Sequence, residues 1–301
     1  MYDNIRKNKN KTLVIIAGFI VMITLIVYYI CMALDISAPG AITIALIFSI
    51  ISSVASYYNS DKIILKVTHA RPATEEEDRF LVHIFDAIMI SSGLPCRPQL
   101  YVVDDAQPNA FATGRNPEHA IICVTTGLLE KLDYYELEGV LAHEMGHIRN
   151  YDIRLSCVVT VMVGFIVMLS DMFTRITFRS RRRSSRDNDN AGSAILMVIG
   201  LFFLILGPIF AKIMQMAISR KREFMADATA VEITRNPDGL ISALKKLDAD
   251  PNEFSYVNKA TAHMFIVSPF KDNPEKKIKK AGLFDTHPSI AQRIEALENL
   301  E

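Results

Sequence analysis

His143-Glu144-Met145-Gly146-His147 has the form H-E-x-x-H, and the spacing of its two histidines has a mechanical meaning. On an α-helix, residues i and i+4 lie on one face, a turn apart. Two imidazoles placed there can bind a single Zn²⁺ at the usual distance of about 2.0–2.1 Å. Glu144 is offset around the helix, where its carboxylate can reach a water held by the metal rather than the metal itself. That is the layout of a zinc hydrolase with a general base. The signal is specific. With 7 His in 301 residues, chance produces the pattern in on the order of one in a hundred such chains. The bland alternative is a surface helix that happens to carry two histidines.

The surrounding residues favour a helix. Asp133-Tyr134-Tyr135-Glu136 resembles a capping box with Asp133 as N-cap. Leu137, Val140, Leu141 and Ile148 recur at helical spacing as an apolar stripe. Gly146 costs a helix up to about 1 kcal/mol relative to Ala, so its presence implies that another backbone packs closely at that turn.

Two imidazoles leave the metal site incomplete, since a catalytic zinc takes three protein ligands and one open position. The best source of the third is Ser219-Arg220-Lys221-Arg222-Glu223-Phe224-Met225-Ala226-Asp227. Glu223 and Asp227 are one helical turn apart. Glu223 can ligate the metal while Asp227 accepts the second N–H of a liganding histidine and fixes its tautomer. By spacing alone, an exposed charged segment after a hydrophobic helix fits equally well.

Taken together, these stretches resemble the HtpX / CAAX prenyl protease family of membrane metalloproteases, which are of gluzincin type. The resemblance rests on residues 108–114 (PNAFATG), 140–152 (VLAHEMGHIRNYD) and 219–227 (SRKREFMAD), and on Thr286-His287-Pro288 followed by Arg293-Ile294. These lie in the family's order and cover most of residues 60–301. The resemblance implies His143, His147 and Glu223 as ligands of one Zn²⁺ per chain, Glu144 as catalytic base and Asp227 as the residue supporting a ligand. It further implies that Asn109 and Ala110 begin an edge strand that holds an extended substrate by backbone hydrogen bonds, and that His287 stabilises the oxyanion. Arg293 matches the family pattern without a role derived from the residues.

Composition narrows the setting. The chain has 50% hydrophobic residues, a mean hydropathy of +0.21 and a formal net charge of +0, which gives no reason to expect a nucleic acid partner. The four cysteines, Cys31, Cys96, Cys123 and Cys157, show no paired spacing and imply no disulfide framework. There is no G-x-x-x-x-G-K phosphate loop, so no ATP use is expected.

Thr12 to Leu34 and Ile36 to Ser60 are uncharged and long enough to span a bilayer. The turn around Asp35 and Pro39-Gly40 joins them as a hairpin. Arg6, Lys7, Lys9 and Lys11 precede the first span, which predicts a cytoplasmic N-terminus. A second hydrophobic pair runs from Leu155 to Ser170 and from Asn190 to Ala211, around an Arg- and Ser-rich loop. Because His143 and His147 precede this pair and Glu223 follows it, the pair must start and end on one side of the membrane.

The expected fold is α+β and mainly helical: a gluzincin-like zinc metalloprotease domain with a small sheet, plus two helical membrane hairpins. The expected organisation is a cytoplasmic tail at 1–11, a transmembrane hairpin at 12–60, and a first protease segment at 61–154. A second hairpin follows at 155–218, with a basic loop at 174–190, and then a second protease segment at 219–301. Among soluble elements, helices are expected over Glu75–Ser91 (capped by Thr74), Asp238–Leu247 and Pro288–Leu300, and strands over Gln99–Val103 and Ala120–Thr125. The family resemblance implies a cell-membrane, multi-pass endopeptidase facing the cytoplasm, acting on damaged or misfolded membrane proteins in stress-linked quality control. The rivals are a CAAX-type protease acting on prenylated peptides and a non-catalytic membrane protein with a structural metal site.

Overall fold

The structure, a computed structural model of the chain, describes residues 2–33, 36–162, 164, 220–252, 264–267 and 288–300. His287, the basic loop at 174–190 and most of the second hydrophobic pair lie outside the described residues.

The chain opens with α1 (Tyr2–Ala33), which begins ahead of the apolar run, and α2 (Ala38–Tyr58). Pro39 sits in the first turn of α2, where its missing N–H has no intrahelical acceptor to serve. The two helices pack side by side and share a Thr24–Ser49 hydroxyl contact of 2.8 Å. Asn8–Tyr29 and Ala38–Ala55 are long and apolar enough to cross a membrane, and only 28% and 22% of these windows are buried within the chain. Leu13, Val21, Leu25, Ile42, Phe48 and Ile51 face outward. Water would oppose so large an apolar face, and lipid would not.

A short helix α3 (Ser60–Val67) and strand β1 (Arg71–Pro72) lead to α4 (Arg79–Ser92). Here the expected start at Glu75 is corrected. Thr74 does accept from the Glu77 amide at 3.3 Å, but it closes only a turn. The Asp78 carboxylate takes the Thr74 amide at 3.0 Å and the Arg71 guanidinium at 2.8 Å. Tied down in this way, the chain enters the helix only at Arg79.

Strands β2 (Gln99–Val103), β3 (Ala110–Thr113) and β4 (Ile121–Thr125) complete a four-stranded sheet of order β1-β2-β4-β3. The β2–β4 pair is parallel; β1–β2 and β3–β4 are antiparallel. Period-2 alternation divides the sheet's side chains between two cores. Leu100, Val102, Ile122 and Val124 pack with α4 and the helices that follow. Val103, Phe111, Ile121 and Cys123 pack on the other face against Ile64 of α3 and Phe265.

After α5 (Thr126–Lys131) comes α6 (Tyr134–Arg149), which carries the H-E-x-x-H motif. Its capping box forms as read, Asp133 accepting from the Glu136 amide and Glu136 from the Asp133 amide. Leu137, Val140, Leu141, Met145 and Ile148 are fully buried. The helix ends at Asn150, and Tyr151 adopts a left-handed conformation (φ 60). That backbone shape is uncommon for a bulky residue; here it turns the chain sharply into a further helical stretch at 152–162. Leu155, Val158, Val159 and Met162 of this stretch pack along α1 against Ile15, Phe19, Met22, Ile23 and Ile26.

Helix α7 (Arg220–Thr234) crosses α6, and α8 (Pro237–Ala249) lies beside both. Helix α9 is Ile290–Glu298, shorter than expected. Pro288 does not start it. Ser289 is the N-cap and forms a capping box with Gln292, and a serine oxygen makes the better cap.

Candidate metal centre

The crossing of α6 and α7 builds the site. A Cβ on Gly146 would lie 3.1 Å from the Ala226 carbonyl and 3.2 Å from Thr229 Cβ. The absent side chain therefore lets the α7 backbone sit against the histidine turn, the close approach expected at that glycine. From there α7 delivers Glu223. His143, His147 and Glu223 each point a ligand atom into one cluster, all within 4.8 Å of one another. His143 Nε2 and His147 Nε2 are 3.2 Å apart. Glu223 lies 3.8 Å from His143 Nε2 and 3.7 Å from His147 Nε2.

The second nitrogen of each ring meets a carboxylate. His143 Nδ1 is 2.8 Å from Asp227 Oδ1, and His147 Nδ1 is 3.2 Å from Asp152 Oδ2. A carboxylate at Nδ1 accepts a hydrogen bond from that N–H, which keeps the proton on Nδ1 and leaves the lone pair on Nε2. Both lone pairs then face each other. At that separation they repel unless a cation lies between them, a proton in the metal-free protein or a metal ion otherwise. Two nitrogens on a tetrahedral zinc stand about 3.3 Å apart, so the histidine pair needs almost no movement to accept one. The carboxylate must approach by a few tenths of an ångström. The donor set thus fits a divalent metal of zinc type.

Electrostatics follow from burial and these neighbours. His143 is fully buried; burial and the Arg293 charge, against the pull of Asp227, hold its pKa down to about 4. Burial also opposes charge on His147. The Asp152 hydrogen bond and the Glu223, Asp152 and Glu144 carboxylates outweigh it and bring that pKa up to about 9. Glu144, 1% exposed, is pushed up to about 7 by burial, with His147 pulling it down and Glu223 pushing it up. That value is for the metal-free site, and a divalent cation held by the cluster would favour the carboxylate. The Ala112 backbone amide hydrogen-bonds it. Ala112, Glu144, His147, Glu223, Phe265 and Ile266 line a small cleft at the cluster.

Asn109 and Ala110 stand at the start of β3, the edge strand next to this cleft. Their outward groups are engaged within the chain. Ile266 N–H donates to the Ala110 carbonyl at 3.0 Å, and the Asn109 side-chain Nδ2 donates to the Val267 carbonyl at 3.0 Å. Phe265 packs edge-on against Phe111, with ring centroids 5.1 Å apart.

Three residues of the site were not singled out from the sequence. Asp152 enters the sequence analysis only as the last residue of the 140–152 stretch; its place just past the helix end, five residues after His147, is the available signal. Arg293 had a family match and no role. It is fully buried and holds Asp227 with both arms, Nε to Oδ2 at 2.9 Å and Nη2 to Oδ1 at 2.6 Å, and it donates to the Ile266 carbonyl at 3.1 Å. Asn8 reaches Asp152 Oδ1 at 2.8 Å from the start of α1, a contact that no local pattern announces.

A paired-histidine helix crossed by a carboxylate-bearing helix, with a buried carboxyl beside the donors, is the layout of a metalloprotease. Residues 75–301 match the model of peptidase family M48. Over 301 residues the chain is 40% identical to a protein named Protease HtpX homolog from Ligilactobacillus salivarius, with all of both chains covered. It is 39% identical over 308 residues to the one from Listeria monocytogenes, again with full coverage. The one from Dictyoglomus thermophilum is 41% identical over 296 residues, covering 98% of this chain and 93% of that one. Among solved structures, the crystal structure of S. mikatae Ste24p aligns at a TM-score of 0.49 with 19% identity, over 99% of this chain and 66% of that one. The chain belongs to peptidase family M48 and is a metalloprotease that acts on polypeptides.

Proposed function

We propose that the protein is a membrane-anchored zinc endopeptidase that cleaves damaged or misfolded membrane proteins at the cytoplasmic face, as part of a quality-control response to stress. The observation that carries the reading is the convergence of His143, His147 and Glu223 beside the buried Glu144. In this reading the three hold one Zn²⁺ per chain, with Asp227 and Asp152 setting the tautomers of the two rings. Zinc bound there supplies Lewis acidity for the scissile carbonyl and the attacking water. Glu144 takes the water proton and returns it to the leaving amine. His287 donates to the oxygen that becomes negative as the carbonyl is attacked. Asn109 and Ala110 begin the strand on which the extended substrate pairs. Since Ile266 and Val267 engage those two residues, the substrate backbone joins farther along, beside Ala112 and the cleft.

Two further observations support a membrane setting. Outward apolar faces on α1 and α2 suit lipid, and α1 packs along residues 155–162, the start of the second hydrophobic pair. Arg6, Lys7, Lys9 and Lys11 orient the N-terminus to the cytoplasm. The two protease segments, 61–154 and 219–301, then meet on that side, and the multi-pass hairpins anchor them in the cell membrane.

The test begins with protein purified in detergent under chelation. Added Zn²⁺ is expected to start cleavage of casein and of the chain itself. His143→Ala, His147→Ala and Glu223→Ala are each expected to lose the metal. Cleavage that proceeds equally with and without zinc contradicts the reading. Labelling of single cysteines placed at the N-terminus and near residue 240 in intact cells tests the orientation; reaction from outside the cell contradicts a cytoplasmic site.

A further inference from the structure

Asn8 is a polar residue at the start of an apolar helix, and it is buried, at 7% exposure. Burying an amide without partners costs several kcal/mol, so the partners explain its place. Its amide nitrogen donates to the Asp152 carboxylate at 2.8 Å and to the Asn150 carbonyl at 3.1 Å. Asn150 is the C-cap of α6, where helix carbonyls lack intrahelical donors. One NH₂ group thus serves both acceptors with its two protons. The other oxygen of Asp152 takes His147 Nδ1. A continuous chain of contacts therefore runs from α1 through Asp152 to a histidine of the cluster.

We infer that Asn8, in the first membrane-type helix, is a positioning residue for the metal centre, acting through Asp152 on His147. This rests on His147 being a metal ligand. Asp152 is buried at 4% exposure, and Arg222 stands 3.8 Å from it. Asn8 sets the rotation of its carboxylate without adding charge. A neutral donor leaves the carboxylate's negative charge available to His147, which a lysine at that point would partly cancel. The helix beyond Asn8 is held as well. Thr12, one turn on, bonds back to the Asn8 carbonyl at 2.8 Å, and Ile15 and Phe19 then pack in one buried cluster with Leu155 and Val158. The depth at which α1 sits thereby sets the orientation of a residue behind the metal. In this reading α1 is both an anchor and a wall of the site.

The test uses full-length protein in detergent and Zn²⁺ itself, with affinity measured by chelator competition. Asn8→Ala is expected to weaken zinc binding about fivefold, less than the about tenfold to hundredfold loss expected for a direct partner of a ligand such as Asp152. Asn8→Asp, which sets a second carboxylate against Asp152, is expected to weaken it further. Cleavage by Asn8→Ala is expected to fall at limiting zinc and recover at saturating zinc. Lys9→Ala removes a neighbouring contact, Lys9 Nζ over the Tyr151 ring at 4.5 Å, and is expected to leave zinc affinity unchanged. A double-mutant cycle supplies the decisive readout: in an Asp152→Ala background, Asn8→Ala should have no further effect on affinity. Equal zinc affinity in wild type and Asn8→Ala overturns the inference. So does an undiminished effect of Asn8→Ala in the Asp152→Ala background, or a loss matched by an equal loss of thermal stability in the zinc-free protein. Failure of the underlying reading looks different: His147→Ala would keep wild-type zinc affinity.

Discussion

Arg293 has no exposure to water, and its charge is answered by two hydrogen bonds to Asp227 and by Glu223 at 3.7 Å. Removing one partner of such a pair leaves a buried, uncompensated charge and costs about 3–5 kcal/mol. Arg293→Met is therefore expected to lower the thermal midpoint sharply, and to weaken zinc binding about 10–100-fold by freeing Asp227 from its hold on His143. Intact metal affinity in a folded Arg293→Met protein would show that Asp227 needs no support. The two histidines carry different proton loads. His143, at about 4, is neutral at physiological pH, whereas His147, at about 9, keeps its proton in the metal-free protein. A metal must displace that proton. Apparent zinc affinity is accordingly expected to rise about tenfold per pH unit from neutrality to about 9 and then level off. Chelator competition across that range measures the slope, and a flat profile would mean that His147 is already neutral.

At the scale of elements, Glu136 joins the capping box of α6 to α8. It is 3% exposed and receives Ser242 and Lys246, each at 2.6 Å. Burial raises its pKa, but the bonds from Lys246, Ser242 and the Asp133 amide outweigh that and hold it below the usual carboxylate value. A depressed folded-state pKa gives stability that is complete above the unfolded value, about 4.3, and is lost as pH falls through the folded one. Glu136→Gln is thus expected to cost about 1–3 kcal/mol at neutral pH, with the gap to wild type closing in acid. Melting curves at neutral pH and near pH 3 check this; a gap that widens in acid would contradict it. The elements also show what sequence can convey. Helix α6 was legible because its cap, apolar stripe and motif agree. Strand β2 was legible from Gln99–Val103, whose bounds match. The first turn of α4 was not, because the Asp78–Arg71 pair that displaces it depends on the chain folding back to β1. The start of α9 differs from the expectation for a local reason: Ser289, one residue after Pro288, forms a capping box with Gln292 and makes the better cap.

For the whole molecule, the cluster draws on α1, α6, the stretch at 152–162, α7 and α9, so residues 8 and 293 meet around one pair of imidazoles. Local spacing could identify His143, Glu144 and His147, because helix geometry alone sets their relation. It could put Glu223 and Asp227 on one turn but not bring that turn to the histidines; the missing side chain of Gly146 does that. Asn8 and Arg293 act at long range and at angles that no period encodes, and Asp152, close in sequence to His147, is turned toward it only by the left-handed bend at Tyr151. The central claim is that this assembly is a zinc peptidase whose base is Glu144. Its most direct test compares wild type with Glu144→Gln in detergent, measuring bound zinc and casein cleavage on the same samples. One zinc per chain in both, with cleavage lowered at least a hundredfold in Glu144→Gln, a loss on the order expected for a general base, is the predicted result. Equal cleavage by the two proteins would contradict the account.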